Sequence, residues 1–505
     1  MSTQPPSHNR LALIAICLSA LMLGLEITSI PSILPTLEKV LSADFQQLQW
    51  IMNAYTIAMC SVLMAMGTLG DRFGRKRVFL TGVTVFAVAS LICGLATSAP
   101  LLIAARFLQG TSAAAMLACQ VAILSHQFRD GAERGKAFGW WGIVFGIGLG
   151  FGPVVGAIIT LTSWHWVFLI HVVIAAVTIV FARKGVEESV DPQATRIDVA
   201  GMATLSLAVF GIVYLITQGQ RIGLTSPFAM TVLAVSLASF ALFVVVETRA
   251  ARPMFDFRAF RVRRFSGAIL GSSGMNFSFW PFVIYLPIYL QAVLGYDAIA
   301  AGMTVLAYTL PTIVVPPLAE RLLLARGPRL VIPLGLFTIG TGFILLMLAI
   351  TSGHASWMTL LPGCVLAGIG LGLTNTPVTN TATAALPPER GGMASGMDMS
   401  ARMISLSVNI ALMGLILSSS VAGYLPHALP DLAAAARPAL ADMVSAGNLA
   451  ASQAHGVPVA VARAALAHGI GRVTLYGALC AWGLALASFT LFGRHPAPHS
   501  GRGAH

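Results

Sequence analysis

GTLGDRFGRKR (Gly67 to Arg77) follows one apolar run, residues 48–69, and leads into another, residues 78–97. It holds three glycines, Gly67, Gly70 and Gly74, and a cluster of charge: Asp71, Arg72, Arg75, Lys76 and Arg77. Each flanking run is about 20 residues, enough for a helix to cross a hydrocarbon core of roughly 30 Å. A connection of two to four residues between such helices needs glycine for its backbone angles. The charges are expected to cap helix ends and to pair across one face of the membrane.

The rest of the chain has the same character. Of 505 residues, 10% are charged and 57% hydrophobic, with a mean hydropathy of +0.83. An ordinary soluble protein carries about 25% charged residues. This composition excludes a soluble enzyme, a secreted disulfide scaffold, a disordered chain and a coiled coil. It leaves an integral membrane protein of many spans. Apolar stretches lie near 11–34, 48–69, 78–97, 100–125, 138–160, 164–183, 199–218, 228–247, 267–290, 301–320, 329–350, 356–381, 396–421 and 473–493. An open chain crossing lipid this often satisfies its backbone only as helix, so the expected fold is all-α with 14 spans. The start resembles a signal peptide, but its apolar run continues past Glu26 without a clear cleavage site, so an uncleaved first span is expected. The six cysteines lie inside apolar runs and form no CxxC, which fits packing rather than disulfides or metal.

An even number of spans puts both termini on one side. If that side is cytoplasmic, 23 Lys and Arg fall inside and five outside, with Arg106 and Arg402 within spans. This bias sets both ends inside and accounts for the net charge of +12 without a nucleic-acid partner. Two connections are long. The inside segment 248–266, ETRAARPMFDFRAFRVRRF, suits a membrane-surface helix and a solvated loop equally. In the outside segment 422–472, ADMVSAGNLAASQ and VAVARAALAHGI are expected to make short interfacial helices.

The connection after the tenth span, PPLAERLLLARGPR (Pro316 to Arg329), repeats part of the opening pattern. Glu320–Arg321 stands where Asp71–Arg72 stands after the second span. Such weak internal symmetry suits a transporter of two six-helix halves. The halves would be residues 1–185 and 266–505, with spans 7 and 8 an inserted pair in 186–265.

GTLGDRFGRKRV resembles the loop 2–3 signature of the major facilitator superfamily, GxLxDRxGRKxx. LLIAARFLQGTSAAA (Leu101 to Ala115) resembles the family's span-4 motif, with Arg106 one to two turns into the helix. GIGLGFGPVVGA (Gly146 to Ala157) is similar to its span-5 antiporter motif. There Gly148, Gly152 and Gly156 recur every four residues, a flat face for close packing, and Pro153 is expected to bend the helix. Ala157 replaces the usual glycine. With 14 spans, the resemblance is to the drug:H⁺ antiporter branch. LEITSIPSILPTL (Leu25 to Leu37) looks like that branch's first-span motif, with Glu26 for the usual Asp and Pro31 inside the motif. WIMNAYTIAM (Trp50 to Met59) resembles its second span. ERGGMASGMDMSARMISLSVNIALMG (Glu389 to Gly414) resembles its thirteenth, with MISLS (403–407) where the family has a Gln- and Gly-rich run. The resemblance implies alternating access driven by the proton motive force without a cofactor, small-molecule export across a bacterial inner membrane, and a periplasmic adaptor as candidate partner for 422–472.

An ionisable residue inside a membrane span is a functional-site candidate by default. Glu26 is the clearest, about 22 Å along its helix from Leu11 at 1.5 Å per residue. A carboxylate there would exchange a proton for a cationic drug. Arg106 is the second candidate. Asp398 and Arg402, four residues apart, have the spacing of a helical ion pair. Asn53, Tyr55, Gln120, Asn276, Tyr285 and Asn375, with Trp280, Tyr289 and Asn409, are candidates for a polyspecific cavity; each alone is better explained by packing or an interhelical hydrogen bond. No GxxxxGK[ST], HExxH or GxSxG occurs, so ATP-driven transport and catalysis are not expected. A dedicated exporter of a metabolite such as a siderophore or amino acid, and a transporter-like receptor or membrane enzyme, remain as alternatives.

Overall fold

The computed structural model of the chain describes residues 6–43, 45–128, 131–190, 198–223, 225–250, 255–386, 391–430 and 436–493. Among them there is no strand. The first helices are α1 (Pro6–Val40), α2 (Phe45–Phe73), α3 (Arg75–Gly94), α4 (Ala99–Gln127), α5 (Gly131–Thr160) and α6 (His165–Gly185). Next come α7 (Val199–Ile222) and α8 (Pro227–Arg249), then α9 (Arg263–Asn276), α10 (Phe279–Ile288), α11 (Ala298–Thr309), α12 (Pro311–Val314) and α13 (Pro316–Arg326). The last are α14 (Pro328–Thr351), α15 (Trp357–Ala384), α16 (Gly391–Ala428), α17 (Arg437–Ser445), α18 (Leu449–Ala454) and α19 (Val459–Phe492).

Among the described residues, 11 helices are long and apolar enough to cross a membrane, or 12 with the pair bent by 42° at Val315 counted as one. That bend falls where Pro311, Pro316 and Pro317 interrupt the helical ladder in α11–α13. The stretch expected at 267–290 is also divided, with α9 ending before Phe277 and a π-helical turn, Tyr289–Val293, following α10.

The helices pack in two groups. α1 lies against α5 and α6, α2 against α4, and α3 against α4 and α6. In the other group α14 packs on α15 and α19, and α9 on α15, α16 and α19. Phe79, Phe86, Met116 and Leu124 are buried in the first core, and Phe282, Phe343, Leu417 and Leu466 in the second. α7 and α8 pair with each other, and α7 also leans on α2 and α16. Contacts of α16 with α2 and α4, and of α11 with α5, join the groups. The apolar residues these helices leave exposed, such as Leu237 and Leu486, are what a lipid solvent accommodates.

Several expectations are corrected. α2 runs on through Gly67 and Gly70 to Phe73, so the connection to α3 is Gly74 alone, at φ +107°. Only this glycine supplies backbone freedom; Gly70 lets α4 approach, since a Cβ there would lie 3.0 Å from Cys119 Sγ, whereas a Cβ on Gly67 would make only ordinary contact at 3.8 Å with Ala118. The junction after α13 is built alike: Gly327, at φ +76°, separates Arg326 from Pro328. The two segments with similar sequence therefore fold as similar helix–glycine–helix junctions. VAVARAALAHGI is not a separate interfacial helix; it opens α19, whose apolar residues Ala462, Ala465 and Leu466 continue the buried face. ADMVSAGNLAASQ does fall in short helices, α17 and α18. Between the end of α8 and the start of α9, the described part of 248–266 holds a 3-10 turn, Phe257–Arg261, capped by Asp256, rather than a surface helix. Arg129, Arg196, Arg252, Arg390, Arg494 and Arg502, counted in the orientation argument, lie outside the described residues.

Candidate functional site

Glu26 lies on α1 with none of its surface exposed, and Arg106, on α4, is 2% exposed. A small residue lets the helix of Arg106 lie close against α2. A Cβ on Gly110 would run into the Tyr55 carbonyl, so α2 and α4 touch backbone to backbone beside the arginine. Arg106 Nη1 donates to Glu26 Oε1, and to Gln109 Oε1 at 2.7 Å. Its Nε donates to the Ile51 carbonyl at 2.9 Å, and its guanidinium sits 4.5 Å from the centre of the Tyr55 ring. Gln109 in turn donates to Ser90 Oγ on α3 at 2.9 Å. His171 on α6 places Nε2 2.9 Å from Glu26 Oε2, and its ring meets Phe86 edge-on. Two charges have thus been taken out of solvent together. Removing one partner of such a pair costs about 3–5 kcal/mol, because the other stays buried and uncompensated.

α1 also needs close contact with α5. A Cβ on Gly148 would lie 2.8 Å from the Leu21 carbonyl and 3.0 Å from Gly24 Cα. Gly152 faces Thr28, whose hydroxyl donates to the carbonyls of Gly24 at 3.1 Å and Gly148 at 3.4 Å. The Gly156 carbonyl accepts from Thr160 Oγ1 at 2.6 Å. The spacing of four therefore makes the flat face expected of it, and Gly24 supplies the opposing side. α5 stays helical through Pro153 to Thr160; the side chains of Pro31 and Pro153 lie outside the described residues.

A second buried polar cluster lies on α16. Arg402 Nε donates to Asp398 Oδ2 at 3.1 Å, the i,i+4 pair that the spacing predicts. Arg402 also donates to Asn375 Oδ1 at 2.6 Å and to Thr379 Oγ1 at 2.8 Å, both on α15. Ser272 on α9 donates to the other Asp398 oxygen. Every charged atom has a partner here, as burial demands.

At the α2–α3 junction, Asp71 Oδ1 accepts from Arg75 Nε at 2.9 Å and Nη2 at 2.8 Å. Arg72 lies against the Phe73 ring. Gly74, the residue before α3, has no side chain with which to cap it. Glu188, after α6, takes that role by accepting from the Lys76 backbone N–H at 3.1 Å, and it pairs with Arg77 at 3.7 Å.

The six cavity candidates do not converge. Tyr55 belongs to the Arg106 site and Asn375 to the Arg402 cluster. Gln120 donates to Ser19 Oγ and accepts from Trp141 Nε1, both at 2.9 Å. Asn276 donates to the Ser272 carbonyl, and its own carbonyl accepts from Asn409. Tyr285 donates to the Ile410 carbonyl at 2.7 Å. Asn53 is half-buried on α2. These are mostly the bonds that tie membrane helices together. None of the six lines the cavity of about 60 Å³ between α2, α4 and α16, which Asp71, Arg75 and Ser400 border.

Residues 16–410 match the sequence profile of the Major Facilitator Superfamily. The chain belongs to that superfamily. It is similar to the multidrug resistance protein Stp of Mycobacterium tuberculosis, 32% identical over 427 residues, covering 83% of this chain and 79% of that protein. The multidrug efflux pump LfrA of Mycolicibacterium smegmatis is 29% identical over 424 residues (83% and 82%). The puromycin resistance protein pur8 of Streptomyces alboniger is 30% identical over 418 residues (82% of each). The human organic anion transporter MFSD10 shares the fold with a TM-score of 0.62 at 15% identity, over 97% of this chain and 100% of that one. This superfamily member is a multi-pass membrane protein and a transporter rather than an enzyme.

Sequence reasoning on this transporter missed His171, Gln109, Ser90 and Glu188. His171 was open to discovery, because it is the one ionisable residue between Trp166 and Phe181 in an apolar span. Glu188 was not, because its role depends on where the chain after α6 returns.

Proposed function

We propose that this chain is a proton-coupled efflux pump for amphipathic or cationic small molecules, working by alternating access in a bacterial cytoplasmic membrane. The buried Glu26–Arg106–His171 site carries this reading. It is an ionisable constellation inside the spans, where charge is retained only for a purpose. The names of the similar proteins, multidrug resistance and efflux pumps, support the substrate class.

Fourteen spans account best for the helices. The 11 candidates and the bent pair leave α5, with 30 residues, and the divided α9–α10 as two more. Residues 1–185 and 266–505 would be the halves that rock about a central site, and 186–265 an inserted pair. Both termini would be cytoplasmic, as the basic-residue bias requires. Transport would use the proton motive force and no cofactor. Segment 422–472 would face outward and offer α17 and α18 to a periplasmic adaptor.

A proton reaching the site and a cationic substrate compete for the Glu26 carboxylate. Competition for one charge is the simplest physical basis of exchange, and linkage makes it reciprocal. The test is growth of a pump-deleted host on a panel of toxic compounds, with and without a protonophore. Resistance that the protonophore abolishes supports the reading. Resistance to no compound, or resistance indifferent to the protonophore, overturns it.

A further inference from the structure

His171 has a geometry that the Glu26–Arg106 pair alone does not require. The residue is 1% exposed, and its Nε2 stands 2.9 Å from Glu26 Oε2. With Glu26 ionised its oxygens only accept, so the ring form with the hydrogen on Nε2 avoids two facing lone pairs across this ion-pair contact, which lies outside hydrogen-bond geometry. In the neutral ring Nδ1 is then a bare lone pair; among the described residues Nδ1, Nε2 and Glu26 Oε2 all lack a hydrogen-bond partner. Glu26 is different. One of its oxygens faces Arg106 Nη1 and the other faces His171 Nε2. A proton on either oxygen would cancel the negative charge that compensates the buried Arg106. Nδ1 is the position where a proton enters while the Glu26–Arg106 pair keeps both its charges.

The remaining neighbours do not offer an alternative acceptor. From α3 come the Phe86 ring and, through Gln109, Ser90 and the Cys93 thiol. From α4 comes Arg106, permanently charged, with Tyr55 of α2 against its face. α5 carries its titratable side chains, Glu133, Arg134 and Lys136, only in its first two turns.

We propose that the proton exchanged by this pump is taken up at His171 Nδ1, and that Glu26 stays ionised throughout as the shared counter-ion. In the unloaded site the charges are Arg106⁺ and Glu26⁻. Proton uptake adds an imidazolium, so two cations contend for one carboxylate and no negative charge is left for a third. A lipophilic cation is admitted only when Nδ1 has released its proton. An imidazole suits this task because Nδ1 takes up and releases a proton while Nε2 keeps its hydrogen. The inference rests on the Glu26 site proposed above and adds to it where the proton resides.

The test uses purified full-length protein and tetraphenylphosphonium. In the wild type, affinity should rise about tenfold per pH unit on the acidic side of the titration, the slope for one proton displaced per cation. Binding in weakly buffered solution should release a proton. His171→Gln keeps a donor for Glu26 but cannot take up a proton. Its affinity should vary less than about twofold between pH 5.5 and 8, with no proton released. A wild-type slope and wild-type proton release in H171Q overturn the inference. If Glu26→Gln also binds with the wild-type slope, the reading of the site as a whole falls with it; if only H171Q does, the inference alone falls. Infrared difference spectra of the wild type on acidification need no His171 variant. A protonated-carboxyl band that Glu26→Gln removes would place the proton on Glu26 and overturn the proposal; no Glu26-dependent band supports it.

Discussion

Glu188 caps helix α3 from outside it, accepting the Lys76 backbone N–H at 3.1 Å beside Gly74, where a Cβ would lie 2.5 Å from the Glu188 carboxylate oxygen. The carboxylate sits where the partial positive charge of a helix N-terminus favours an anion. Gly74 thus serves twice, through a φ of +107° and through the space it leaves for that carboxylate. Glu188→Ala should lower stability by about 0.5–2 kcal/mol, as loss of a cap does. Gly74→Ala combines strain with a clash and should cost about 1–3 kcal/mol. Thermal unfolding in detergent measures both. A Glu188→Ala melting temperature equal to wild type would remove the capping role.

The Asp71–Arg75 pair separates stability from transport. It is a partly exposed i,i+4 pair, worth about 0.3–0.5 kcal/mol. Asp71→Asn should therefore insert and melt almost as the wild type does and still bind substrate. Contacts made in only one of two states bias the equilibrium between them, and the cavity beside Asp71 reaches α16 across the contact between the two helix groups. The expected outcome is lost transport with binding retained. Wild-type efflux by Asp71→Asn refutes that role.

How much was legible follows from the range of each interaction. Span positions were readable because lipid imposes about 20 apolar residues per crossing, a local constraint. The Asp398–Arg402 pair was readable because i,i+4 is fixed by the helix itself. The Gly148 and Gly152 face was readable for the same reason, although its partner Gly24 was not. Glu26 and Arg106 were each conspicuous as charges in apolar runs, but their pairing was hidden, because 80 residues separate them and only helix packing joins them. The cavity candidates were misleading for a physical reason. Asn, Gln and Tyr in a span need partners, and a neighbouring helix satisfies them as well as a ligand does. The reach of α2 to Phe73 was hidden by the glycines, read as turn formers when Gly70 serves close packing and only Gly74 turns the chain.

The α1–α5 contact gives a paired test. Gly148→Val puts side-chain atoms where Leu21 and Gly24 already lie, and overpacking of this kind costs about 1–3 kcal/mol. Gly142, on the same helix, has open space where a Cβ would stand, with nothing within 4 Å, so Gly142→Ala should be neutral or slightly stabilising. The difference in melting temperature between these variants is the measurement. Equal melting temperatures would show that the α1–α5 approach is looser than described.

Topology is testable at exposed positions. A cysteine replacing Arg258, in the basic turn before α9, should react with a membrane-impermeant maleimide only from the cytoplasm. One replacing Ala446, after α17, should react only from outside. The expectation rests on the 23-to-5 distribution of basic residues. Reaction of position 446 from the cytoplasm would break the 14-span reading, because α16 and α19 would then both need another crossing between them.

The decisive variant is Glu26→Gln. It keeps size and hydrogen-bonding capacity but deletes the one negative charge between Arg106 and His171. A lipophilic cation then meets an uncompensated guanidinium instead of a neutral pair, so cation binding should fall and lose its dependence on pH. Neutral substrates, which do not need the carboxylate, should suffer less. The sign for the wild type follows from linkage: raising pH strips the exchangeable proton and tightens cation binding until the site is fully deprotonated. Glu26→Asp retains the charge and should retain cation exchange. Leaving Arg106 buried without its partner should also cost about 3–5 kcal/mol, so transport must be normalised to folded protein in the membrane. Proteoliposomes with an imposed pH gradient measure the exchange directly. If Glu26→Gln drives cation–proton exchange at the wild-type rate, coupling lies elsewhere, and the Asp398–Arg402 cluster, fully bonded as it is, becomes the next site to open.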